Sequence, residues 1–233
     1  MDELIFIAIF CGTIVLAVIL IYLVSNLLER RRQAELVSRA ALLGFKDVQP
    51  EEFRPREMFP ELLLLKQAHP TNDLLLKREA SGRLPSQYIF DIELHGGQGQ
   101  SEKMTVFLLH AADLDLPPFL LKGRDKTRFT ARLIHDVTRA TQSWLHHYKA
   151  VSVDAPEQFT RQYELLSPET NPGLRSYFTQ NLTNTVASKP GWQVEGVGQW
   201  LLLYQRGIVV RPSGLTDFVT ECQAIARLFS HEN

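Results

Sequence analysis

The sequence predicts an α+β fold, in which one N-terminal transmembrane helix precedes a soluble domain of antiparallel strands packed by helices. Three observations support this: an uncharged apolar run over residues 4–28, two alternating segments around a glycine-rich stretch at 95–100, and short apolar segments separated by glycines within 192–212. They predict a membrane span, a β-hairpin and a C-terminal meander. Because the strands and helices do not alternate strictly, α+β is favoured over a doubly wound sheet.

The composition is that of a globular protein, and it argues against nucleic-acid binding, a disulfide framework and a zinc site. The chain has 233 residues, of which 45% are hydrophobic and 22% charged, and its net charge is −1. A nucleic-acid-binding protein would normally carry a basic excess, so we expect no nucleic-acid partner. The two cysteines, Cys11 and Cys222, lie far apart in different surroundings. Neither a disulfide framework nor a zinc-type cluster is expected from them.

Residues 1–28 are predicted to form an uncleaved membrane anchor. Its apolar run would make a helix of about 37 Å at about 1.5 Å per residue, slightly longer than the hydrocarbon core of a bilayer. The core helix of a soluble protein is seldom apolar on every face for this length. A signal peptide would begin with basic residues and end at a small-residue cleavage site. Here Asp2 and Glu3 precede the run, and Glu29 with three arginines follows it.

The charges beside the anchor predict its direction. Arg30, Arg31 and Arg32 follow the apolar run, Arg39 lies farther along, and no lysine or arginine precedes the run. By the positive-inside rule, the N-terminus is outside and the C-terminal domain is cytoplasmic, at the inner membrane. Arg30, Arg31 and Arg32 are therefore assigned as membrane-flanking residues. In one interpretation they bind anionic lipid headgroups, and in the other they act only as a stop-transfer flank.

The next segment, residues 29–58, is predicted to be a juxtamembrane helix followed by a linker. Apolar residues recur at helical spacing in its first half, so the helix is expected to continue the anchor and to stop at Gly44. The proline-rich and charged stretch 49–56 is typical of a linker. Residues 59–233 then form the soluble domain, either as one unit or as two subdomains divided near residue 150.

The first half of the domain is predicted to hold a short helix and a hairpin. Residues 59–67 form a short apolar helix, or a strand in the alternative interpretation of their leucine run, and 73–78 form a strand. Residues 87–94 and 104–110 pair as an antiparallel hairpin. Residues 116–121 are expected to be an edge strand, because their two prolines cannot donate to a central ladder.

The second half of the domain is predicted to combine helices with short strands. Residues 126–148 form a helix and 159–166 a strand, and Asn171 caps a further helix with proline at its first position. Three short strands follow within 192–212. Ser213 then caps a last helix, whose apolar stripe is expected to cover one face of the meander.

Several short motifs point to a resemblance. They are Ala41–Phe45, Leu116–Phe119, Gln162–Leu165 with Arg175–Phe178, and Gly191–Gly207. On these motifs the chain resembles a group of uncharacterised bacterial single-pass membrane proteins. Those proteins share an N-terminal span, an Ala-Leu-Leu-Gly-Phe type segment, a Leu-Pro-x-Phe strand and a C-terminal Gly-Trp-x-Val-Glu-Gly block. The resemblance implies a bacterial origin and this architecture, and it implies no activity; the helix at 126–148 departs from the group as an insertion.

The polar motifs do not combine into a catalytic or metal site. Residues 95–99 resemble the oxyanion loop of lipases, but the chain has no Gly-x-Ser-x-Gly elbow, so a hairpin turn is favoured. His135 and His146 share a helix face but lie about 16 Å apart along it, too far for one metal ion. The basic run 122–132 is interpreted as a solvated turn, and Cys222 as a buried, unreactive thiol.

No catalytic, cofactor-binding or metal-ligating residue is therefore assigned. The expected function is that of a membrane-tethered, non-enzymatic cytoplasmic domain that binds a protein partner or assembles with itself at the lipid bilayer. Two alternatives stay open. An enzyme of unrecognised type would show a deep pocket lined by two or more ionisable groups. A structural subunit of an envelope complex would use the span itself as its interface.

Overall fold

The computed structural model has the mixed α+β architecture that the sequence predicts. The described residues are 2–48, 54–59, 61–81, 85–95, 101–124, 147–168 and 173–229. The predicted helix over 126–148 lies outside them except for its last two residues, and the predicted cap at Asn171 also lies outside.

The secondary structure of the described residues comprises helices on either side of a large sheet. The helices are α1 (Asp2–Leu42), α2 (Pro55–Met58), α3 (Leu63–Gln67), α4 (Glu157–Gln162), α5 (Leu174–Tyr177), α6 (Gln180–Ser188) and α7 (Leu215–Arg227). The strands are β1 (Lys46–Asp47), β2 (His69–Arg78), β3 (Ser86–His95), β4 (Ser101–His110), β5 (Leu116–Gly123), β6 (Lys149–Ala150), β7 (Tyr163–Ser167), β8 (Trp192–Gly198) and β9 (Trp200–Gln205). A 3-10 turn over Pro212–Gly214 precedes α7.

Helix α1 runs without a break from the apolar segment into the domain. The side chains from Phe10 to Leu28 are all exposed, and burial begins at Glu29, where the apolar segment ends. Farther along the same helix, Leu36 and Ala40 are fully buried in the domain core. The helix is long and apolar enough to cross a membrane, and its polar continuation is part of the folded domain.

The end of α1 is fixed by a glycine, as predicted. Gly44 adopts a φ of 81°, a left-handed conformation that glycine reaches without the steric cost of a Cβ atom. The N–H of Phe45 donates to the carbonyl of Ala40 at 3.0 Å, and the N–H of Gly44 donates to that of Ala41 at 3.1 Å. This pair of bonds is the Schellman arrangement, and it satisfies carbonyls that the helix end would otherwise leave unpaired.

The strands form one antiparallel sheet. Within the described residues it has nine strands in the order β1-β2-β3-β4-β9-β8-β5-β7-β6. The predicted hairpin is β3 and β4, paired from Ser86 opposite His110 to His95 opposite Ser101. Strand β9 pairs with β4. This pairing joins the hairpin of β3 and β4 to the hairpin of β8 and β9.

Both faces of the sheet are buried, and the central strands show why. In β4, Phe107 and Leu109 face the larger core, which α1 and helices α4 to α7 cover. The alternate residues Met104, Val106 and Leu108 face a smaller core, which the segment around α3 covers. A strand covered on both sides has no solvent-facing row, so these strands are continuous apolar runs.

Strand β5 is internal, so the prediction of an edge strand is wrong. It pairs with β8 on one side and with β7 on the other. Its register with β8 shifts between Leu116 and Phe119, and its pairing with β7 begins only at Leu120. Pro117 and Pro118 therefore lie where the ladder is irregular, and a missing N–H is tolerated at such a bulge.

Two further predictions between residues 157 and 188 are corrected. Residues 159–166 are not one strand, because α4 extends to Gln162 and β7 begins only at Tyr163. The helix predicted from Asn171 is divided into α5 and α6. Thr179 separates them, and its side chain caps α6 by accepting a hydrogen bond from the N–H of Leu182 at 3.3 Å. The predicted apolar face is nonetheless buried at Leu174, Phe178, Leu182 and Val186.

The C-terminal meander has two strands, where three were predicted. After β9, Gly207 turns the chain with a φ of 66°, and Ile208 to Val210 continue beside Thr105, in the middle of β4, as an irregular segment. The prediction that Ser213 caps the last helix is also wrong, because the cap position is Gly214 and carries no side-chain bond. The predicted stripe of α7 is buried at Leu215, Phe218, Val219, Cys222, Ala226 and Phe229.

Gly196 provides a test of packing between β8 and β5. A Cβ atom built on Gly196 would lie 2.3 Å from Cε1 and 2.8 Å from Cζ of Phe119, whose ring is buried. We expect Gly196→Ala to lower the free energy of unfolding by about 1–3 kcal/mol, because the ring must shift in a filled core. Denaturant unfolding of the full-length protein in detergent, followed by tryptophan fluorescence, measures this.

Gly123→Ala is the matched control, because a Cβ atom there meets nothing within 4 Å. Equal unfolding midpoints for the two variants would contradict the packing of Phe119 against Gly196.

Candidate functional site

The junction between the apolar segment and the domain is built around Arg32. Its Nε atom donates to Oε1 of Glu29 at 2.8 Å, and its Nη1 atom donates to the carbonyl of Val210 at 2.9 Å. Its Nη2 atom forms an ion pair with Oδ2 of Asp91 on β3. The side chains of Arg32 and Asp91 are 16% and 4% exposed, so this pair is mostly removed from water.

Thr105 on β4 completes the network. Its hydroxyl donates to Oδ1 of Asp91 at 2.5 Å and accepts from the N–H of Val210 at 2.9 Å. Its backbone N–H donates to the carbonyl of Ile208 at 2.9 Å. One ion pair and its hydrogen bonds thus join α1, β3, β4 and the segment after β9.

The electrostatics of the junction follow from its burial. Desolvation raises the pKa of Asp91, and the Arg32 guanidinium and the Thr105 hydroxyl oppose part of that rise. Burial by itself lowers the pKa of Arg32. The attraction and hydrogen bonds of Asp91 and Glu29 outweigh that effect, so the pKa of Arg32 is raised overall. Because Arg32 stays charged, the arrangement is a buried ion pair that holds the helix against the sheet.

The predicted membrane-flanking arginines separate into two kinds. Arg30 and Arg31 are exposed. Arg32 is turned into the domain by Asp91 and Val210, so most of its surface is unavailable to lipid. Asp91 was not predicted as a partner of Arg32. The signal for it in the sequence was an acidic residue placed between Phe90 and Ile92, in an apolar part of a predicted strand.

A second buried carboxylate lies on the other face of the sheet. Glu195 on β8 is 2% exposed, and its oxygens accept from the N–H groups of Leu63 and Leu64, at 3.1 Å for the latter. These N–H groups begin α3 and have no partner within the helix. Burial raises the pKa of Glu195 to about 7, although the two N–H groups and Lys66 act in the opposite direction. Glu195 therefore holds the start of α3 against the sheet.

An open groove of about 720 Å³ adjoins the junction. Its ionisable lining residues are Arg32, Arg211, Asp217 and Glu221, and the ring of Phe218 forms part of its wall. Two of these groups already have structural partners, since Arg32 pairs with Asp91 and Glu221 pairs with Nζ of Lys189 at 3.0 Å. The groove is open, and Arg211 and Asp217 are its other two ionisable groups.

Of the other polar candidates from the sequence, the structure describes His95 and Cys222. His95 ends β3, with its ring 4.8 Å from that of His69, while residues 96–100, His135 and His146 lie outside the described residues. Cys222 is buried, and burial raises the pKa of its thiol well above the ordinary value, as expected for an unreactive cysteine. Within the part of the chain that the structure describes, no group of three or more His, Cys, Asp or Glu side chains could hold a metal ion.

Comparison with known proteins shows a shared fold. No protein-family model matches the chain, and no curated protein matches it by sequence. A solved structure does match: the crystal structure of the mycobacterial trehalose monomycolate transport factor A, TtfA. The TM-score is 0.52 at 10% sequence identity, over 86% of this chain and 93% of that one. The two chains share the α+β fold over nearly their whole lengths.

The buried pair of Arg32 and Asp91 can be tested by a double-mutant cycle. Arg32→Met leaves a buried carboxylate without its cation, and Asp91→Asn leaves the guanidinium without its anion. We expect each single change to lower the free energy of unfolding by about 3–5 kcal/mol, and the double change to cost less than the sum of the two. Denaturant unfolding in detergent measures the coupling.

Glu35 and Arg39 supply the matched control for that cycle. They form a pair at 3.0 Å on the same helix, with side chains 56% and 45% exposed. Their corresponding variants should change stability by only about 0.3–0.5 kcal/mol. A coupling energy at Arg32 and Asp91 as small as this would mean that the buried pair does not hold the junction.

Glu195 should make stability depend on pH. Its pKa is about 7 in the folded protein against an ordinary value of 4.5, so between these values the folded state holds a proton that the unfolded state lacks. Raising the pH through this window therefore lowers the free energy of unfolding, by at most about 3 kcal/mol. We expect Glu195→Gln to flatten that decline, as measured by unfolding at pH 5 and pH 8. Glu61→Gln, at an exposed position near α3, should keep the wild-type slope, and an unchanged slope in Glu195→Gln would refute the assignment.

Proposed function

We propose that this chain is a membrane-tethered, non-enzymatic protein, whose cytoplasmic domain binds a protein partner or a second copy of itself at the inner membrane. The single observation that carries the proposal is the continuity of α1. The helix that leaves the apolar segment has Leu36 and Ala40 fully buried in the domain core, and Arg32 is paired inside that domain. The domain is therefore held at a fixed distance and rotation relative to the membrane.

A fixed geometry is a requirement of an assembly rather than of catalysis on a diffusing substrate. A partner that is itself embedded in the membrane can meet only the face that the domain turns toward it. Two of the four ionisable groups that line the groove beside Arg32 are already held in ion pairs, which also favours binding over chemistry. These features support an interaction module as the function.

The shared fold supports a more specific form of the proposal. TtfA is described as a transport factor, and we propose that the present chain is likewise an accessory factor of a membrane-bound process. The identity of that process does not transfer at 10% sequence identity. We also propose that the chain belongs with the uncharacterised bacterial single-pass proteins that its motifs resemble.

The orientation in this proposal rests on the arginines. Arg30 and Arg31 remain exposed directly after the apolar segment, which supports a cytoplasmic domain by the positive-inside rule even with Arg32 engaged elsewhere. Alkaline phosphatase fused after residue 233 should accordingly be inactive in cells, and an active fusion would reverse the orientation.

Alanine insertions between Leu28 and Glu29 test the function. Each inserted residue turns the domain by about 100° relative to the span, so two alanines rotate it by about 200° and four by only about 40°. We expect crosslinking and pull-down from membranes to recover a reproducible partner, or a second copy, with the wild type and the four-alanine variant. The two-alanine variant should recover neither, because its binding face is turned away from the partner.

A third variant, with residues 4–28 replaced by an unrelated apolar span in the same register, separates the alternatives. Retained capture agrees with a partner bound through the domain. Loss of capture in this variant alone would favour a structural subunit whose span is the interface. Absence of both a partner and self-association in the wild type would overturn the proposed function.

A further inference from the structure

The segment between β9 and the 3-10 turn, residues 206–211, lies beside the end of the apolar segment; we call it the junction loop. The carbonyl of Val210 is 2.9 Å from Nη1 of Arg32, and Arg32 follows Leu28 by about 6 Å of helix rise. Helical side chains lean toward the N-terminus, and Arg32 does so, since its Nε atom bonds Glu29. A headgroup layer is about 5–8 Å thick on each side of the bilayer. If α1 spans the membrane as proposed, the junction loop lies within that layer.

The junction loop is held rigidly, and it presents an apolar side chain outward. The N–H of Ile208 donates to the carbonyl of Gln205 at 3.2 Å, and its carbonyl accepts from Thr105 at 2.9 Å. The N–H of Val210 is bound by the Thr105 hydroxyl. With its backbone fixed in this way, the side chain of Ile208 is 50% exposed. Outside α1, only it and Met58 are exposed large hydrophobic side chains among the described residues.

Charges of both signs lie beside this apolar side chain, since Arg211, Asp217 and Glu221 line the same groove as Ile208, and Glu221 is paired with Lys189. Arg211 is exposed at the end of the loop, and Arg30 and Arg31 are exposed on the adjacent turn of α1. Arg206 is engaged with Oε2 of Glu102 at 2.6 Å, so it is held within the domain. A single apolar side chain with basic neighbours is the chemistry of a segment that lies in the interface of an anionic bilayer.

We propose that the junction loop is a second membrane contact, in which Ile208 inserts among the lipid headgroups while Arg211, with Arg30 and Arg31, binds their phosphates. This inference rests on the proposed membrane span. Its consequence is that the domain touches the bilayer at two places, the helix and the loop. Two contacts fix which face of the domain points away from the membrane.

Site-directed fluorescence in lipid nanodiscs tests this contact. The full-length protein carries Cys11→Ser, with buried Cys222 retained, and an environment-sensitive fluorophore at Ile208→Cys. The nanodiscs contain phosphatidylcholine with phosphatidylglycerol, and nitroxide lipids labelled at the headgroup or in the acyl chain. We expect headgroup nitroxides to quench the label at position 208, more strongly than in phosphatidylcholine alone.

Two further labelling positions serve as controls. Met58→Cys replaces a side chain of similar exposure, 46%. It adjoins Phe59, whose ring lies 4.4 Å from that of Trp200, at the opposite end of β9 from the junction loop and about 17 Å away along the strand. Its label should not be quenched by lipid. Leu20→Cys lies within the apolar segment and should be quenched by acyl-chain nitroxides.

The outcomes separate the contact from the span on which it rests. Quenching at position 20 together with no more quenching at 208 than at 58 would overturn the second contact and leave the span intact. Absence of quenching at position 20 would remove the span and the inference with it. A label at 208 that is shielded from aqueous iodide but not quenched by lipid would indicate a protein partner and would overturn the lipid assignment.

Discussion

The structure depends on the way α1 passes from an exposed apolar segment into a protein core. The helix carries no charged residue from Leu4 to Leu28, and beyond Glu29 its exposed apolar side chains give way to side chains packed against the sheet. Arg32 lies at this transition. Its guanidinium is bound by Asp91, Glu29 and the carbonyl of Val210, so its charge remains compensated while Leu36 enters the core on the next turn.

The two buried carboxylates have equivalent roles on opposite faces of the sheet. Asp91 holds α1 on the larger core through an ion pair, and Glu195 holds the start of α3 on the smaller core through backbone N–H groups. Both faces of the central strands are apolar, so hydrophobic burial is strong but nondirectional. A buried carboxylate has few acceptable partners, and it therefore fixes the position of each covering helix. We regard these two groups as the source of specific packing in the domain.

The likeness to TtfA indicates what is general in this architecture. At 10% sequence identity and a TM-score of 0.52, the common feature of the two chains is the α+β layout of strands and covering helices. Such a layout depends on the apolar pattern rather than on particular polar residues.

The sequence by itself determined the features that depend on local periodicity. It identified the apolar helix, its end at Gly44, the hairpin of β3 and β4, and the buried stripe of α7. Each of these features depends on residues that are close along the chain. It did not determine strand order. The prolines of β5 predicted an edge, and only the pairing with both β7 and β8 showed that a bulge accommodates them.

The tertiary structure also decided the role of the arginines after the helix. Arg30, Arg31 and Arg32 are equivalent as a membrane flank in sequence, but their positions around the helix differ by about 100° per residue. Only Arg32 faces the sheet, where Asp91, 59 positions away in the chain, is its partner. That pairing could not be predicted from the sequence, because it depends on which strand lies beneath α1. It makes the anchor and the domain one continuous structure.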